Sequence, residues 1–390
     1  MAMMIAPLLT YPPMPSHCRH VVHLVYRFAA GGLENVVVQL INHLPHDDFR
    51  HTVVAIAGFD EGFVKRIERP DVEVISLDKG PGQPFKLYPK VFKLLRRLRP
   101  DVLHSCNLAA MEFTPVAALA GVPLRVHVEH GLDIGDLGGG NAHYKLLRKA
   151  FKPFVNEFVA VAAPLRDYLA NEIGVSAKHL HLIPNGVDTM RFRPRSTNDT
   201  LPDGFPFVPG VDWVIGYVGR MVDVKNPLLL VQAFINLAKS NVPGTERMRL
   251  AMVGAGALTD EVSQRMQAEG LRERLWLPGV RTDVAEIFRA MDCFVLPSLF
   301  EATSCTLQEA MATGLRIVAT DVGGNADLLE AGRCGTLVRP QDPQALASAI
   351  LLHFQQNLTA SQPVAAMAAI HEHYDLATVI NRYRELFRPD

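Results

Sequence analysis

The 390-residue chain has few cysteines: Cys18, Cys106, Cys293, Cys305 and Cys334 are an odd number, widely scattered, with no CxxC pair. That scarcity excludes a disulfide framework, opposes a structural zinc site and suits a reducing compartment. Charge of one sign is also missing. The 39 basic and 40 acidic residues leave a formal charge of -1, so nothing global draws the chain to nucleic acid. No apolar run reaches the roughly 18 residues of a membrane span. The N-terminal MAMMIAPLLTYPPMPS lacks a basic start and is broken by prolines, which makes it a poor secretory signal and leaves a cytoplasmic location as the expectation.

What remains is ordinary globular material, 48% apolar and 20% charged, in a chain too long for one core, so two domains are expected. From His20 onward short β-branched runs alternate with helical patterns: HVVHLVY, HTVVAIA, VEVISL, DVLHSC, RVHVEH and EFVAVA, then WVIGYVG, LAMVGAG, LWLPG, CFVLPS, RIVAT and GTLVR. Strands this continuously apolar have no wet face. They predict α/β architecture with parallel sheets covered on both sides, in two doubly wound domains. The spacing predicts a tail over 1–19, a first domain over 20–190, a Pro- and Gly-rich linker over 191–210 and a second domain over 211–370. A C-terminal helix over 371–390, apolar along Leu376, Val379, Ile380, Tyr383 and Leu386, is placed to return to the first domain. The cleft between two such domains, at the carboxyl ends of the strands, is the default ligand site.

Several loops carry candidate chemistry. Gly31 and Gly32 follow the first strand and open a helix, where free N-H groups suit a phosphate; a plain tight turn needs no more than the same two glycines. VGAG at 253–256 lacks the third glycine of a dinucleotide fingerprint, which argues against a nicotinamide enzyme. Arg220 and Lys225 stand just past a buried strand and could neutralise a diphosphate, or be ordinary surface charges.

The stretch LFEATSCTLQEAMATG holds Glu301 and Glu309 eight residues apart in apolar surroundings. Spacing alone does not distinguish them from Glu261 and Glu269, which share the interval in a polar helix. Context does. Glu301 lies in the loop after the strand CFVLPS and can accept bonds from sugar hydroxyls, while Glu309 lies in the first turns of the next helix and can hold a diol. The N-H groups near Cys305 and Thr306 can face a phosphate between them. HVEHG resembles a deaminase element, but no P-C-x-x-C follows, so no metal is expected; His130 is a polar group at a strand's end, either facing a ligand or structural.

In order along the chain, GGLE, EHG, IPNGVD, GR with KN five residues on, VGAG, PGV and the E-x7-E of FEATSCTLQEAMATG resemble the family 4 retaining glycosyltransferases of the GT-B fold, over nearly the whole chain from about His20. The stretch EHGLDIGDLGGGNAHYKLLRKAFKP is similar to the branch associated with bacterial exopolysaccharide systems. The resemblance implies two Rossmann-like domains facing a cleft, and transfer of a sugar from a nucleoside diphosphate donor to a glycan or polyprenyl-linked acceptor. It further implies that Arg220 and Lys225 bind the diphosphate, Glu309 the ribose, Glu301 the transferred sugar, and the backbone at Val280 and Arg281 the base. His130 would sit beside the donor sugar, Gly31 and Gly32 would let backbone approach phosphate and acceptor, and neither metal nor cofactor would be needed.

Departures from the family pattern are Ala302, Cys305, Arg316 in GLR and Ala162 in VAVA. The changes at Ala302 and Cys305 leave a non-catalytic nucleotide-sugar binder as an alternative, and a nucleotide-sugar epimerase of the same architecture is the nearest enzymatic one. One further feature concerns partners: LYPKVFKLLRRL carries Lys90, Lys93, Arg96 and Arg97 opposite an apolar stripe, and Lys145, Arg148, Lys149 and Lys152 form a second basic cluster. Both are candidate contacts for the anionic inner face of a membrane, although the first reads more readily as an ordinary helix covering its sheet.

Overall fold

In a computed structural model, which describes residues 18–80, 82, 84–132, 139–355 and 361–388, each predicted β-branched run forms a strand. The first sheet contains β1 (Arg19–Val25), β2 (Phe49–Ala55), β3 (Glu73–Ser76), β4 (Val102–Cys106), β5 (Leu124–Glu129), β6 (Glu157–Ala160) and β7 (Leu180–Leu182), in the order β3-β2-β1-β4-β5-β6-β7. The second contains β8 (Trp213–Val218), β9 (Met248–Val253), β10 (Leu275–Gly279), β11 (Cys293–Leu296), β12 (Arg316–Thr320) and β13 (Thr336–Val338), in the order β10-β9-β8-β11-β12-β13. The strand order reverses once in each sheet, between β1 and β4 and between β8 and β11, where both pairings are parallel. These are doubly wound sheets with one switch point each. Only β7, three half-buried residues, has no counterpart among the predicted strands.

Burial on both faces explains the apolar runs: Val21, Val22, Leu24 and Val25 are all buried in β1, as are Val214, Ile215, Leu250 and Ala251 in the second sheet. Inside the first sheet three histidines replace apolar residues. His23 Nδ1 is 2.8 Å from His104 Nδ1 and His23 Nε2 is 3.0 Å from His51 Nδ1. Burial holds His23 and His51 well below the usual imidazole range, which keeps them neutral.

The chain divides into two compact units that cut the sequence differently from the predicted boundaries. One comprises Met1–Val128, Leu147–Phe158 and Phe387–Asp390; the other comprises Glu129–Leu146 and Val159–Leu386. The predicted linker is no free tether, because Phe192 and Phe207 are buried in the second unit's core. The predicted C-terminal helix forms over Leu376–Phe387, and a separate helix, Ser361–His373, precedes it. Phe387 and Arg388 belong to the first unit, where the Phe387 carbonyl accepts from Arg19 Nη1 at 3.3 Å and Arg388 pairs with Asp48 at 2.7 Å. Residues 1–17 of the predicted tail, and 133–138 within the stretch resembling the exopolysaccharide branch, lie outside the described residues.

The basic helix Tyr88–Leu98 packs Val91, Leu94 and Leu95 into the first unit's core, so its apolar face is not available to a bilayer. Lys93, Arg96 and Arg97 are exposed, as are Phe85 and Phe92, while Lys90 donates to the Leu77 carbonyl. The second basic cluster is not a surface patch: Arg148 is fully buried and Lys145 is paired with Glu172 at 2.6 Å. Among the described residues no helix is long and apolar enough to cross a membrane.

Candidate functional site

The loops at the carboxyl ends of the second sheet are tied together by their backbones. After β8, Gly219 N donates to Val253 O at 3.0 Å and Met221 N to Ala255 O at 3.0 Å. Gly254, at φ +126, has no room for a side chain because a Cβ there would strike the Gly219 carbonyl, and one at Gly256 would strike that of Met221. The VGAG glycines therefore serve close loop packing rather than a dinucleotide phosphate. Beneath this loop the buried Tyr217 hydroxyl donates to Arg220 O at 2.7 Å. Burial, reinforced by the charge of Glu301, raises its pKa and keeps it a donor. Arg220 itself is exposed and forms no ion pair with any described residue.

The chain then makes a short turn, Asp223–Lys225, closed by Asn226 at φ 47 and leading into the helix Pro227–Ala238. Leu299 N donates to Val224 O at 2.8 Å, which brings the loop after β11 against this turn. There Lys225 Nζ contacts Glu301 Oε1 at 2.6 Å and Oε2 at 2.8 Å, and Ser298 Oγ donates to Glu301 Oε1 at 2.6 Å. Glu301 is only 4% exposed. Its carboxylate, read from the sequence as an acceptor for sugar hydroxyls, is here occupied by Lys225, and Lys225 is not a free point charge for a diphosphate.

Two further contacts hold Glu301, neither anticipated from the sequence. Gly324 N donates to Glu301 O at 3.0 Å, and Gly323, at φ +52, lies so close that a Cβ would collide with the same carbonyl. Thr320 Oγ1 donates to Ser298 O at 2.6 Å. The signal was present in the sequence as a glycine pair immediately after β12, at the place where a strand end meets a neighbouring loop.

The helix Cys305–Ala312 begins at its Ser304 cap, whose Oγ accepts from Leu307 N at 3.3 Å. Thr306 Oγ1 lies 3.1 Å from the same hydroxyl, and Glu309 is half-buried one turn on. Burial, followed by the charge of Glu309, pushes the Cys305 thiol up to about 12, so it stays protonated and is no nucleophile. Asn185 of IPNGVD donates to Cys305 Sγ at 3.3 Å, and Gln308 Nε2 donates to Asn185 O at 3.1 Å. Asn185 and Gln308 are contacts of the candidate site that sequence reasoning passed over.

His130 is half-buried just beyond β5, in the same compact unit as Glu301. A Cβ on its neighbour Gly131 would stand 3.4 Å from the Ala302 Cβ, so His130 and Glu301 flank one close approach. Val280 is exposed past β10, and the Arg281 side chain is engaged by Asp283 at 2.6 Å, leaving only its backbone for a base. Gly31 caps the helix Gly32–His43 with extended φ -169, a conformation open to any residue; what a side chain there would meet is the Glu34 carboxylate.

Two family models match: Glycosyltransferase Family 4 over residues 30–191 and Glycosyl transferases group 1 over residues 212–356. The chain is a family 4 glycosyltransferase of the GT-B fold. This glycosyltransferase is 26% identical over 342 residues to the UDP-Gal:alpha-D-GlcNAc-diphosphoundecaprenol alpha-1,3-galactosyltransferase of Escherichia coli, covering 85% of this chain and 87% of that one. It is 27% identical over 330 residues to the GDP-mannose-dependent alpha-mannosyltransferase of Mycobacterium tuberculosis (strain CDC 1551 / Oshkosh), covering 79% and 80%. Among solved structures, Anabaena Alr3699/HepE in complex with UDP and glucose superposes with a TM-score of 0.77 at 21% identity, covering 94% of this chain and 98% of that one. At that identity the superposition speaks for the fold.

Proposed function

We propose that this glycosyltransferase moves a hexosyl group from a nucleoside diphosphate sugar to a polyprenyl-linked glycan, with retention, in exopolysaccharide assembly. The observation that carries the reading is the placement of Arg220, Lys225 and Glu301 together at the carboxyl ends of β8 and β11. Lys225 and Glu301 cancel in charge, so unpaired Arg220 is the net cation available to an incoming diphosphate. Once phosphate oxygens approach, Lys225 can exchange part of its bond to Glu301 for them, and the released carboxylate oxygen can take a sugar hydroxyl.

As the bond from the anomeric carbon to the diphosphate oxygen breaks, charge grows on the leaving diphosphate, and fixed cations stabilise it more than the ground state. The acceptor hydroxyl forms its new bond on the same face and its proton passes to a diphosphate oxygen, which balances the step with no enzymic nucleophile. Glu309 would hold the ribose diol, the backbone at Val280 and Arg281 the base, and His130 the sugar. The Escherichia coli relative is named for a uridine diphosphate sugar and a diphosphoundecaprenol acceptor, which supports this pair of substrates. The exposed Lys93, Arg96 and Arg97 would then hold the enzyme at the membrane surface where such an acceptor resides.

Incubation with UDP-galactose, UDP-glucose, UDP-N-acetylglucosamine or GDP-mannose, with and without a short-chain prenyl diphosphate glycan, tests this by mass spectrometry. Acceptor gaining one sugar residue with release of nucleoside diphosphate is the expected result, unaffected by EDTA. An isomerised donor in the acceptor-free arm would mean an epimerase, and donor binding without turnover a binding protein.

A further inference from the structure

The strands whose carboxyl ends carry the donor loops enclose a different space at their amino ends. Asp212 just before β8, Asp292 just before β11, Arg316 at the start of β12 and Thr336 at the start of β13 line one cavity of about 650 Å³. That volume lies within the roughly 300–1,000 Å³ typical of small-molecule sites. Arg195 and His353 also line it.

Most charges around this cavity are already matched. Asp212 pairs with Arg249 at 2.8 Å, and Arg289 is held by Glu286 at 3.1 Å and Asp199 at 3.6 Å. Arg195 and Arg316 are different: no described residue gives either guanidinium an ion pair or a hydrogen bond. Asp292 makes no ion pair with them, but the charges of Arg316 and Arg195 act on its carboxyl and partly offset the burial that pushes it above the usual range; it accepts Val214 N at 2.8 Å. His353 is 2% exposed, its Nε2 lies 2.9 Å from Thr336 Oγ1, and its buried Nδ1 has no partner. A buried ring nitrogen without a partner is destabilising unless something fills the place.

We propose that this cavity is a second ligand site, at the opposite end of the strands from the donor loops, for a small molecule bearing one oxyanion group, phosphate or carboxylate. The Arg195 and Arg316 guanidiniums offer the forked donors that such groups accept. Phe205, Leu315 and Pro363 in the wall suit the less polar remainder of the ligand. Arg316 is the residue that departs from the family's GLP pattern, so the site's central cation belongs to this chain rather than to the motif.

Thermal unfolding in increasing inorganic phosphate and, separately, acetate, with ionic strength held constant by sodium chloride, tests the proposal. A saturable rise in Tm is expected with at least one of the two, phosphate alone pointing to phosphate esters and acetate alone to carboxylates. Arg316→Gln and the exposed Arg195→Gln should each raise the half-saturating concentration tenfold or more while leaving UDP binding unchanged. Arg220→Ala should leave the anion effect intact. Absence of a saturable shift in the unmodified protein overturns the proposal, as does a shift lost in Arg220→Ala yet retained in Arg316→Gln.

Discussion

Lys225 Nζ grips both carboxylate oxygens of Glu301, at 2.6 and 2.8 Å, across 76 positions of sequence. The pair joins the turn after β8 to the loop after β11, the two strands that flank the switch point of the second sheet. It is at once a structural clamp and the place where a donor's charge would enter.

Removing one partner should therefore cost stability as well as turnover. Lys225→Ala leaves Glu301 buried beside Ser298 without its cation, which typically costs about 3 kcal/mol. The double variant Lys225→Ala with Glu301→Gln should recover most of that loss in urea unfolding and none of the activity. Wild-type stability of the Lys225→Ala single variant would show that the pair contributes nothing to the fold.

Arg220 separates the two roles, because it is exposed and unpaired. Arg220→Ala should leave the urea midpoint within error while lowering kcat/KM for the donor by roughly 10²- to 10³-fold, the effect of losing one preorganised contact to developing charge. Steady-state kinetics on the folded variant decide it.

Gly323 predicts a backbone effect on the same site. Gly323→Ala places a methyl group against the Glu301 carbonyl in a left-handed conformation, so the loop must shift or strain by about 2 kcal/mol. A lower Tm together with a raised donor KM is expected. By contrast Gly31 has an extended φ and a Cβ there would meet chiefly a side chain, that of Glu34, so Gly31→Ala should lower Tm less than Gly323→Ala.

Acid should unfold this protein through its buried histidines. His20 is held down at about 4, and His23 and His51 well below 6.5, chiefly by burial. Their folded-state pKa values lie below the unfolded value, so the unfolded chain binds more protons and stability falls as pH drops from about 6.5 toward 4. Each histidine contributes a slope of up to about 1.4 kcal/mol per pH unit in that window. His20→Gln should remove one such increment from the dependence of unfolding free energy on pH.

The basic helix predicts a salt-dependent surface contact. Lys93, Arg96 and Arg97 contribute about 1 kcal/mol each near an anionic bilayer. Their replacement by Gln should release the protein from phosphatidylglycerol vesicles at low salt with UDP affinity unchanged. Lys90 is left in place because it bonds the Leu77 carbonyl.

The twelve apolar runs were readable as strands because a parallel strand buried on both faces tolerates little but β-branched and aliphatic residues, and that restriction is written locally. Glu301 and Glu309 were found by their place relative to CFVLPS and the helix that follows, again a local pattern. The amphipathic stripe of LYPKVFKLLRRL was equally plain, but whether its apolar side met a sheet or a bilayer was not. Arg148 in the second basic cluster looked like surface and is fully buried.

What the linear chain settled was therefore the class of fold, the position of nearly every strand and the set of polar residues at strand ends, since each depends on neighbours a few positions away. Only the folded chain decided that Lys225 spends its charge on Glu301, that the VGAG and GGN glycines admit neighbouring carbonyls, and that Arg316 and His353 share a cavity. Those outcomes depend on distances between segments 22 to 76 residues apart, and ion pairing, close backbone approach and cavity formation are set by such distances alone.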